Sequence, residues 1–139
     1  MKKVLGLGNA LTDMLLQVSE DDLRELGFPK GSMNLISMEQ AEQIQMRFAS
    51  VRKHMVAGGS ASNAINTIAA LGGKAAFIGK IGNDEVGDFY REDMLKNNVK
   101  PILLTSNKEM SGCSIVLITP DGERTFATYL GAAHWRRRC

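Results

Sequence analysis

Gly58-Gly59-Ser60-Ala61-Ser62-Asn63 begins the stretch that decides the fold of this 139-residue chain. A glycine pair precedes a helix-forming segment, and a second pair, Gly72-Gly73, follows that segment. A short apolar run, Ala75 to Ile78, comes next, and Gly79-Lys80-Ile81-Gly82-Asn83-Asp84-Glu85-Val86-Gly87 leads into another helix-forming segment. Glycines at these places are typical of the turns that connect strands and helices. The stretch therefore predicts a helix, a strand and a second helix in succession.

The two helices of this stretch have clear end signals. The first is predicted from Ser60 to Leu71, with Ser60 as its N-cap. The second is predicted to begin after Asp84, whose carboxylate can cap the free N–H groups, and to run to about Asn97. Both carry apolar residues at helical spacing on one side, so each helix is expected to pack one face against a sheet.

Two more helices are predicted before this stretch. Ser37 forms a capping box with Gln40, which predicts a helix from Ser37 to Arg52. A shorter helix is predicted from Ser19 to Leu26, because a serine cap is followed by acidic residues. The longer helix carries an apolar stripe that consists of Ala41, Ile44, Phe48, Val51 and Met55.

Short apolar runs between the helices predict strands. Val4 to Gly8 and Ala75 to Ile78 alternate with helices, which indicates an α/β protein with a mostly parallel sheet and crossover helices. Cys113 to Thr119 and Arg124 to Leu130 flank Pro120-Asp121-Gly122-Glu123, a sequence typical of a hairpin turn. The hairpin is expected to form a separate small sheet with two further strands, near residues 14–18 and 33–36.

Composition and charge argue against several classes of protein. Apolar residues make up 44% of the chain and charged residues 23%, as in an ordinary globular domain. Three of the 17 Lys and Arg residues form the run Arg136–Arg138, so the net charge of +2 is poor support for nucleic-acid binding. The two cysteines and two histidines lack metal-ligand spacing. No apolar run approaches the ~20 residues of a membrane span, and we expect a cytoplasmic protein in a reducing compartment.

Two segments carry polar side chains where open α/β sheets bind ligands. Gly58-Gly59 lets the backbone come close to a ligand, and the following helix offers free N–H groups. The amide of Asn63, on the polar face of that helix, can both donate and accept, which suits sugar hydroxyls. Asn9 and Asp13 follow the first strand, and the Asp13 carboxylate offers two acceptor oxygens to a vicinal diol. Alternatively, these residues only shape turns.

Two further functional interpretations, dinucleotide binding and cysteine-based catalysis, have weak support. Gly6-Leu7-Gly8 matches the start of a dinucleotide-binding fingerprint, but that motif needs a third glycine near position 11, where this sequence has Leu11. Cys113 is a poor candidate for a nucleophile, because neither His54 nor His134 stands in a context that marks it as a base. A packing role for Cys113 is the ordinary alternative.

The combined spacing resembles the first signature of the ribokinase-like (PfkB-type) carbohydrate kinases. The residues that carry it, besides the glycine pairs, are Asn63, Gly79, Gly82, Asp84 and Gly87. The segments Gly8–Asp13 and Lys30–Asn34 are similar to those of the adenosine-kinase-like branch, while Ile65 stands where the family has a small residue. The resemblance implies a partial ribokinase-like fold, with residues 1–133 as the amino-terminal half of the kinase domain and the small sheet, near 14–18, 33–36 and 111–130, as a β lid.

The resemblance implies the substrate-binding half of an ATP-dependent kinase that phosphorylates a primary hydroxyl of a sugar or nucleoside. The implied substrate-binding residues are Asn9, Asp13, Gly58, Gly59, Asn63, Met33, Asn34 and Cys113. Enzymes of this family use ATP and Mg²⁺ through a Gly-x-Gly-Asp motif and an Asn-x-x-Glu motif. Neither motif occurs in this sequence, so we expect no catalytic residue here and most of the ATP and Mg²⁺ site outside this chain.

Residues 134–139 do not follow the family pattern. They hold the single Trp and a sudden Arg run, which a shifted reading frame, a cloning artefact or a natural basic terminus would each produce. The alternative interpretation of the whole chain is a non-catalytic fragment that binds carbohydrate or forms a homodimer through the lid. On either interpretation the expected small-molecule partner is a sugar or nucleoside.

Overall fold

Residues 2–135, which the computed structural model describes, form eight strands, four helices and a short 3₁₀ helix. Of the tail predicted at 134–139, residues 136–139 lie outside the described residues. The strands are β1 Lys3–Leu7, β2 Leu11–Gln17, β3 Met33–Leu35, β4 His54–Gly58, β5 Lys74–Gly82, β6 Val99–Ser106, β7 Gly112–Ile118 and β8 Arg124–Tyr129. The helices are α1 Glu20–Leu26, α2 Met38–Arg47, α3 Ser60–Ala70 and α4 Glu85–Lys96, with the 3₁₀ helix at Gly131–Ala133.

The chain divides into two units, which we describe separately. The first unit comprises residues 2–12, 56–112 and 130–135 of the described chain, and the second comprises residues 13–55 and 113–129. The polypeptide passes between the units within β2, β4 and β7 and again after β8.

A three-stranded parallel sheet in the order β1-β5-β6 lies at the centre of the first unit. α3 leads into β5 and α4 connects β5 to β6, as expected because parallel strands need crossover connections. Both helices contact this sheet, and a cluster of buried side chains around the fully buried Phe77 forms the core of the unit. The predicted α/β fold with a parallel sheet and crossover helices is confirmed.

Two glycines allow α3 to lie close to β1. A Cβ atom on Gly6 would lie 2.4 Å from Cγ1 of Ile65, and a Cβ atom on Gly8 would lie 2.8 Å from Cβ of Ala61. Any larger residue would therefore push α3 away from the sheet. The sequence of β1 thus places its carboxyl end directly beside the beginning of α3.

The second unit is built on a sheet in the order β3-β8-β7-β2-β4. β7 and β8 form the predicted antiparallel hairpin, and β3 pairs with β8 in parallel. Strands also occur at the other two positions predicted for the small sheet. The core of this unit consists of buried side chains from α1, α2 and the sheet, among them Leu16, Leu23, Ile44, Ile115 and Leu117.

Polar contacts fix the turn of the hairpin within the second unit. Gly122 has a φ of +83°, the left-handed conformation that the Pro-Asp-Gly sequence predicts. Asp121 Oδ1 accepts hydrogen bonds from Thr119 Oγ1 at 2.7 Å and from the Glu123 N–H at 3.2 Å. Lys30 forms an ion pair with Asp121, and its hydrogen bond is the main cause that lowers the pKa of Asp121 to about 2.

The predicted end of the longest amino-terminal helix is wrong. The capping box is confirmed, since Ser37 Oγ accepts from the Gln40 N–H at 3.2 Å and Gln40 Oε1 accepts from the Ser37 N–H at 3.0 Å. However, α2 ends at Arg47 instead of Arg52, and Met55 lies in β4. Tight turns replace the helix after Arg47, since the Ala49 N–H donates to the Met46 carbonyl at 3.3 Å and the Val51 N–H donates to the Phe48 carbonyl at 3.1 Å.

Candidate functional site

The carboxyl ends of β1 and β4 meet the beginning of α3 in the first unit. The Gly8 N–H donates to the carbonyl oxygen of Ile78 at 3.2 Å, which fixes the end of β1 on the sheet. A Cβ atom on Gly59 would lie 2.6 Å from the carbonyl oxygen of Asn9. The structure therefore brings the predicted site residues Asn9, Gly58 and Gly59 together, although they are distant in sequence.

Gly59 is required for this arrangement by its own conformation. Its φ is +97°, and it forms the N-cap of α3, so the prediction of Ser60 as the N-cap is wrong. The Gly59 carbonyl accepts from the Asn63 N–H at 2.9 Å. No side chain caps α3. The helix therefore begins with backbone N–H groups available to hydroxyl or anionic groups.

Two side-chain amides are exposed next to Gly59. Asn63 lies one helical turn after Gly59, and its backbone carbonyl oxygen accepts from Thr67 Oγ1 at 2.9 Å. The side chains of Asn63 and Asn9 make no hydrogen bond within residues 2–135 and are exposed to solvent. Each amide can therefore offer a donor and an acceptor to a polar ligand.

A buried tyrosine on α4 holds the glycine pair in place through a hydrogen bond. Tyr90 of α4 is 1% exposed, and its hydroxyl donates to the carbonyl oxygen of Gly58 at 3.3 Å. Its ring centroid lies 6.1 Å from that of Phe77. The sequence pattern marks Tyr90 only as an inward-facing helix residue, because a hydrogen bond to a segment 32 residues away leaves no local signal.

A hydrogen-bond network around Asp84 fixes the start of α4, the helix that carries Tyr90. Its carboxylate accepts from the Gly87 N–H at 2.8 Å, which confirms the predicted N-cap of α4. It also accepts from the Ser111 hydroxyl and the Ser111 N–H, each at 2.7 Å. Ser111 Oγ in turn accepts from the Gly82 N–H at 2.8 Å. The network joins the end of β5, the start of α4 and the start of β7, and sequence reasoning did not predict the role of Ser111.

Asp13 is the first residue of the second unit. It lies in β2, is partly buried, and its carboxylate has no hydrogen-bond partner within the described part of the chain. Burial raises the pKa of Asp13 above its ordinary value of 3.8. A carboxylate that is partly withdrawn from water without a partner destabilises a fold, and such groups are typical of functional sites.

The remaining predicted site residues lie elsewhere in the second unit. Met33 on β3 is 76% exposed. Asn34 Nδ2 donates to Ser32 Oγ at 2.8 Å and to the Phe126 carbonyl at 3.1 Å, so this amide fastens β3 to β8. Cys113 is buried in the core of the unit, in the same cluster as Leu16 and Ile115. The structure therefore gives Asn34 and Cys113 evident structural contacts.

Two polar atoms on α3 were not predicted to be special. Ser62 Oγ and Asn66 Oδ1 are both buried and have no hydrogen-bond partner among the described residues. Buried polar atoms without a hydrogen-bond partner in the protein are rare, and such atoms are normally bonded to an ordered water. They lie on the helix that carries Asn63, so they belong to the same region of the first unit.

The described residues contain neither a metal-ligand cluster nor a membrane-spanning helix. Within residues 2–135, no three His, Cys, Asp or Glu side chains come together in a way that could hold a metal ion. Over the same residues, every helix is too short or too polar to cross a bilayer.

Comparison with known proteins gives a family for most of the chain. The family model described as pfkB family carbohydrate kinase matches residues 31–138. The match includes the glycine-rich stretch, α3, α4 and the hairpin.

Individual relatives agree with this family. The chain is 40% identical over 74 residues to the aminoimidazole riboside kinase of Salmonella typhimurium, covering 52% of this chain and 23% of the relative. It is 36% identical over 73 residues to the probable fructokinase-2 of Arabidopsis thaliana, covering 52% and 22%. The adenosine kinase structure from Sinorhizobium meliloti superposes with a TM-score of 0.76 at 34% identity, covering 94% of this chain and 40% of that chain. This chain therefore corresponds to less than half the length of the kinases it matches.

Proposed function

Since this chain belongs to the pfkB family of carbohydrate kinases, we propose that it forms the substrate-binding half of an ATP-dependent kinase that phosphorylates a primary hydroxyl of a sugar or nucleoside. The relatives include kinases named for ribosides, fructose and adenosine, so the substrate class is a polyhydroxy sugar or a nucleoside. The proposal concerns a part of such an enzyme, because the chain spans about two fifths of that adenosine kinase.

The observation that carries the proposal is the group of unpaired polar functions around Gly59. Asn9 and Asn63 offer exposed amides, and the start of α3 offers uncapped N–H groups. We propose that Gly58 and Gly59 let a sugar approach the backbone closely at this place. Such an arrangement can bind several hydroxyl groups through both donors and acceptors.

Asp13, in the second unit, is proposed as a charged acceptor for hydroxyl groups of a sugar or nucleoside. Its carboxylate has no partner of its own within the described residues, which leaves both oxygens available to hydroxyl donors. Met33 is proposed as an apolar lid contact because of its exposure on β3.

Residues 2–135 do not provide side chains that fit a site for Mg²⁺ and ATP. The described residues contain no cluster of metal-ligating side chains, and neither Gly-x-Gly-Asp nor Asn-x-x-Glu occurs in the sequence. We therefore assign no step of phosphoryl transfer to a residue of this chain. Its proposed contribution is to bind and orient the acceptor hydroxyl, which removes much of the entropic barrier to reaction.

Replacing Asp13 by alanine should weaken the binding of adenosine, ribose or fructose by about 1–3 kcal/mol, because charged hydrogen bonds to hydroxyl groups are lost. Titration calorimetry on the full chain measures this difference for whichever of the three ligands binds. The matched control is Asp88→Ala, which removes an exposed carboxylate from α4. Equal affinities of wild type and Asp13→Ala would remove Asp13 from the proposed site.

The same carboxylate should lower stability in the absence of substrate. Burial raises the pKa of Asp13, so the folded state binds this proton more tightly than the unfolded state does. Stability therefore falls as the pH rises from about 4 through the raised pKa. Asp13→Asn should accordingly unfold at a higher temperature than wild type at neutral pH, with a smaller difference at about pH 4. A variant that is less stable than wild type at neutral pH would show that the carboxylate has a stabilising partner.

Exposed side chains on β3 favour a second candidate function, the formation of a homodimer through the lid. β3 is an edge strand, and Met33 and Leu35 on it are 76% and 75% exposed. Edge strands with exposed apolar residues pair readily with other strands. Sedimentation velocity should show a dimer that Leu35→Lys converts to monomer, whereas Leu71→Lys, at an equally exposed position, leaves it intact. A monomer at all concentrations would rule out this candidate.

A further inference from the structure

A tryptophan lies against the candidate site within the first unit. The Trp135 indole Nε1 donates a hydrogen bond to the carbonyl oxygen of Gly8 at 3.4 Å, although the two residues are 127 positions apart in sequence. The candidate site begins at the next residue, Asn9, whose carbonyl oxygen lies only 2.6 Å from the Cβ position of Gly59. Trp135 is therefore bonded to the backbone at the point where β1 leads into the site.

The segment before Trp135 is fixed to the first unit. Ala132 and Ala133 of the 3₁₀ helix are fully buried, and the Ala132 N–H donates to the carbonyl oxygen of Met110 at 2.8 Å. A Cβ atom on Gly112 would lie 2.8 Å from Cβ of Ala133, so the helix packs closely on the start of β7. Trp135 follows only two residues later, and its position beside Gly8 is therefore set by a well-anchored backbone.

The Trp135 side chain keeps an aromatic surface after its polar group is satisfied. The indole N–H is a donor only, and Gly8 is its acceptor. The residue is nevertheless 40% exposed. What remains accessible is part of a large, flat π-system, on which other aromatic rings stack favourably. Nucleobases stack well on such side chains, because every base has a π-face.

The other groups of the candidate site are polar. Asn9 and Asn63 offer amides, and the start of α3 offers uncapped N–H groups, all of which match hydroxyl groups. A ligand that uses these groups together with Trp135 has hydroxyl groups on one part and an aromatic ring on another. A nucleoside has both parts. A free sugar carries hydroxyl groups around its whole ring and gains less from an aromatic surface.

We propose that Trp135 is a specificity-determining residue that stacks on the base of a nucleoside, so that the chain binds nucleosides in preference to free sugars. This inference rests on the proposed function, because the hydroxyl groups held by Asn9 and Asn63 position the base. The motif spacing did not mark Trp135, which belongs to the segment outside the family pattern. Its contact with Gly8 is visible only in the folded chain.

Fluorescence tests the inference directly, because Trp135 is the single tryptophan of the chain. Adenosine should quench this fluorescence in the full chain when the excitation wavelength is one that adenosine does not absorb. Methyl riboside, which has the same sugar with a methyl group in place of the base, should leave it nearly unchanged. Adenosine should also bind about tenfold more tightly than methyl riboside, as expected for one base stacked on an aromatic side chain.

Substitutions of Trp135 provide the second readout. Trp135→Ala should bind adenosine about tenfold more weakly than wild type and should bind methyl riboside with unchanged affinity. Trp135→Phe keeps an aromatic ring and should retain most of the preference for adenosine. The matched control is Leu71→Ala, which removes an exposed apolar side chain elsewhere in the first unit and should change neither affinity.

The outcomes separate this inference from the proposed function. Adenosine may shift the amide signals of Asn9 and Asn63 while wild type and Trp135→Ala bind it equally; this result overturns the inference and leaves the substrate site in place. Adenosine binding without a change in Trp135 fluorescence has the same meaning, as does equal or tighter binding of methyl riboside or fructose. Binding of none of these ligands at about millimolar concentration overturns both.

Discussion

Replacing Phe77 by alanine should lower the free energy of unfolding by about 3–5 kcal/mol. The Phe77 side chain is fully buried in the core of the first unit. Its ring lies near the Cβ positions of Gly6 on β1 and of Gly79 on β5, and its centroid lies 6.1 Å from that of Tyr90 on α4. Removing the ring leaves a cavity that rigid strands and helices fill poorly. The loss is a large fraction of the free energy of unfolding of a typical domain, about 5–15 kcal/mol.

Urea denaturation followed by circular dichroism measures this change. The midpoint should fall while the slope stays constant, which indicates a change in stability alone. Phe126→Ala is a suitable control, because this phenylalanine is only partly buried, in the second unit. A loss of less than about 1 kcal/mol for Phe77→Ala would contradict the placement of Phe77 at the centre of the core.

Replacing Gly59 by alanine should destabilise the chain by about 3 kcal/mol and abolish sugar binding. The φ of +97° is strained for any residue with a Cβ atom, which alone costs about 1–2 kcal/mol. The Cβ atom would also lie 2.6 Å from the Asn9 carbonyl oxygen, so the end of β1 or the start of α3 must move. Movement there separates Asn9 from the helix and disrupts the proposed site.

The variant Gly72→Ala separates the cost of backbone strain from the cost of a steric clash. Gly72 has a φ of +84°, similar to that of Gly59, but a Cβ atom there would meet no atom within 4 Å. Chemical denaturation of both variants should therefore show a clearly smaller loss for Gly72→Ala. Equal losses in the two variants would show that Gly59 is constrained by its conformation alone and not by contact with Asn9.

Local sequence signals predicted the helices well where a cap was present. Ser37 and Asp84 cap α2 and α4 as expected, because a capping side chain bonds to backbone only three residues away. The predicted end of α2 was wrong because Val51 and Met55 continue the helical spacing of apolar residues by coincidence. Val51 packs against the core from beyond the helix, and Met55 lies in a strand.

Long-range contacts explain what the sequence did not predict. β6 was missed because Pro101 interrupts its apolar pattern, and a proline is tolerated there only because β6 is an edge strand of its sheet. Within the candidate site, Asn9, Gly58, Gly59 and Asn63 were predicted as site residues from motif spacing, and the structure places them close together. The supporting role of Tyr90 depends on tertiary structure, which no local pattern encodes.

Amide chemical-shift mapping of the full, isotope-labelled chain tests the central claim most directly. Adenosine, ribose and fructose are titrated separately, and the backbone signals are followed. The account predicts that at least one ligand shifts the signals of Asn9, Gly58, Gly59 and Asn63 most strongly, with smaller changes elsewhere. Shifts confined to other regions, or no shifts with any of the three ligands at about millimolar concentration, would contradict a substrate-binding site in this chain.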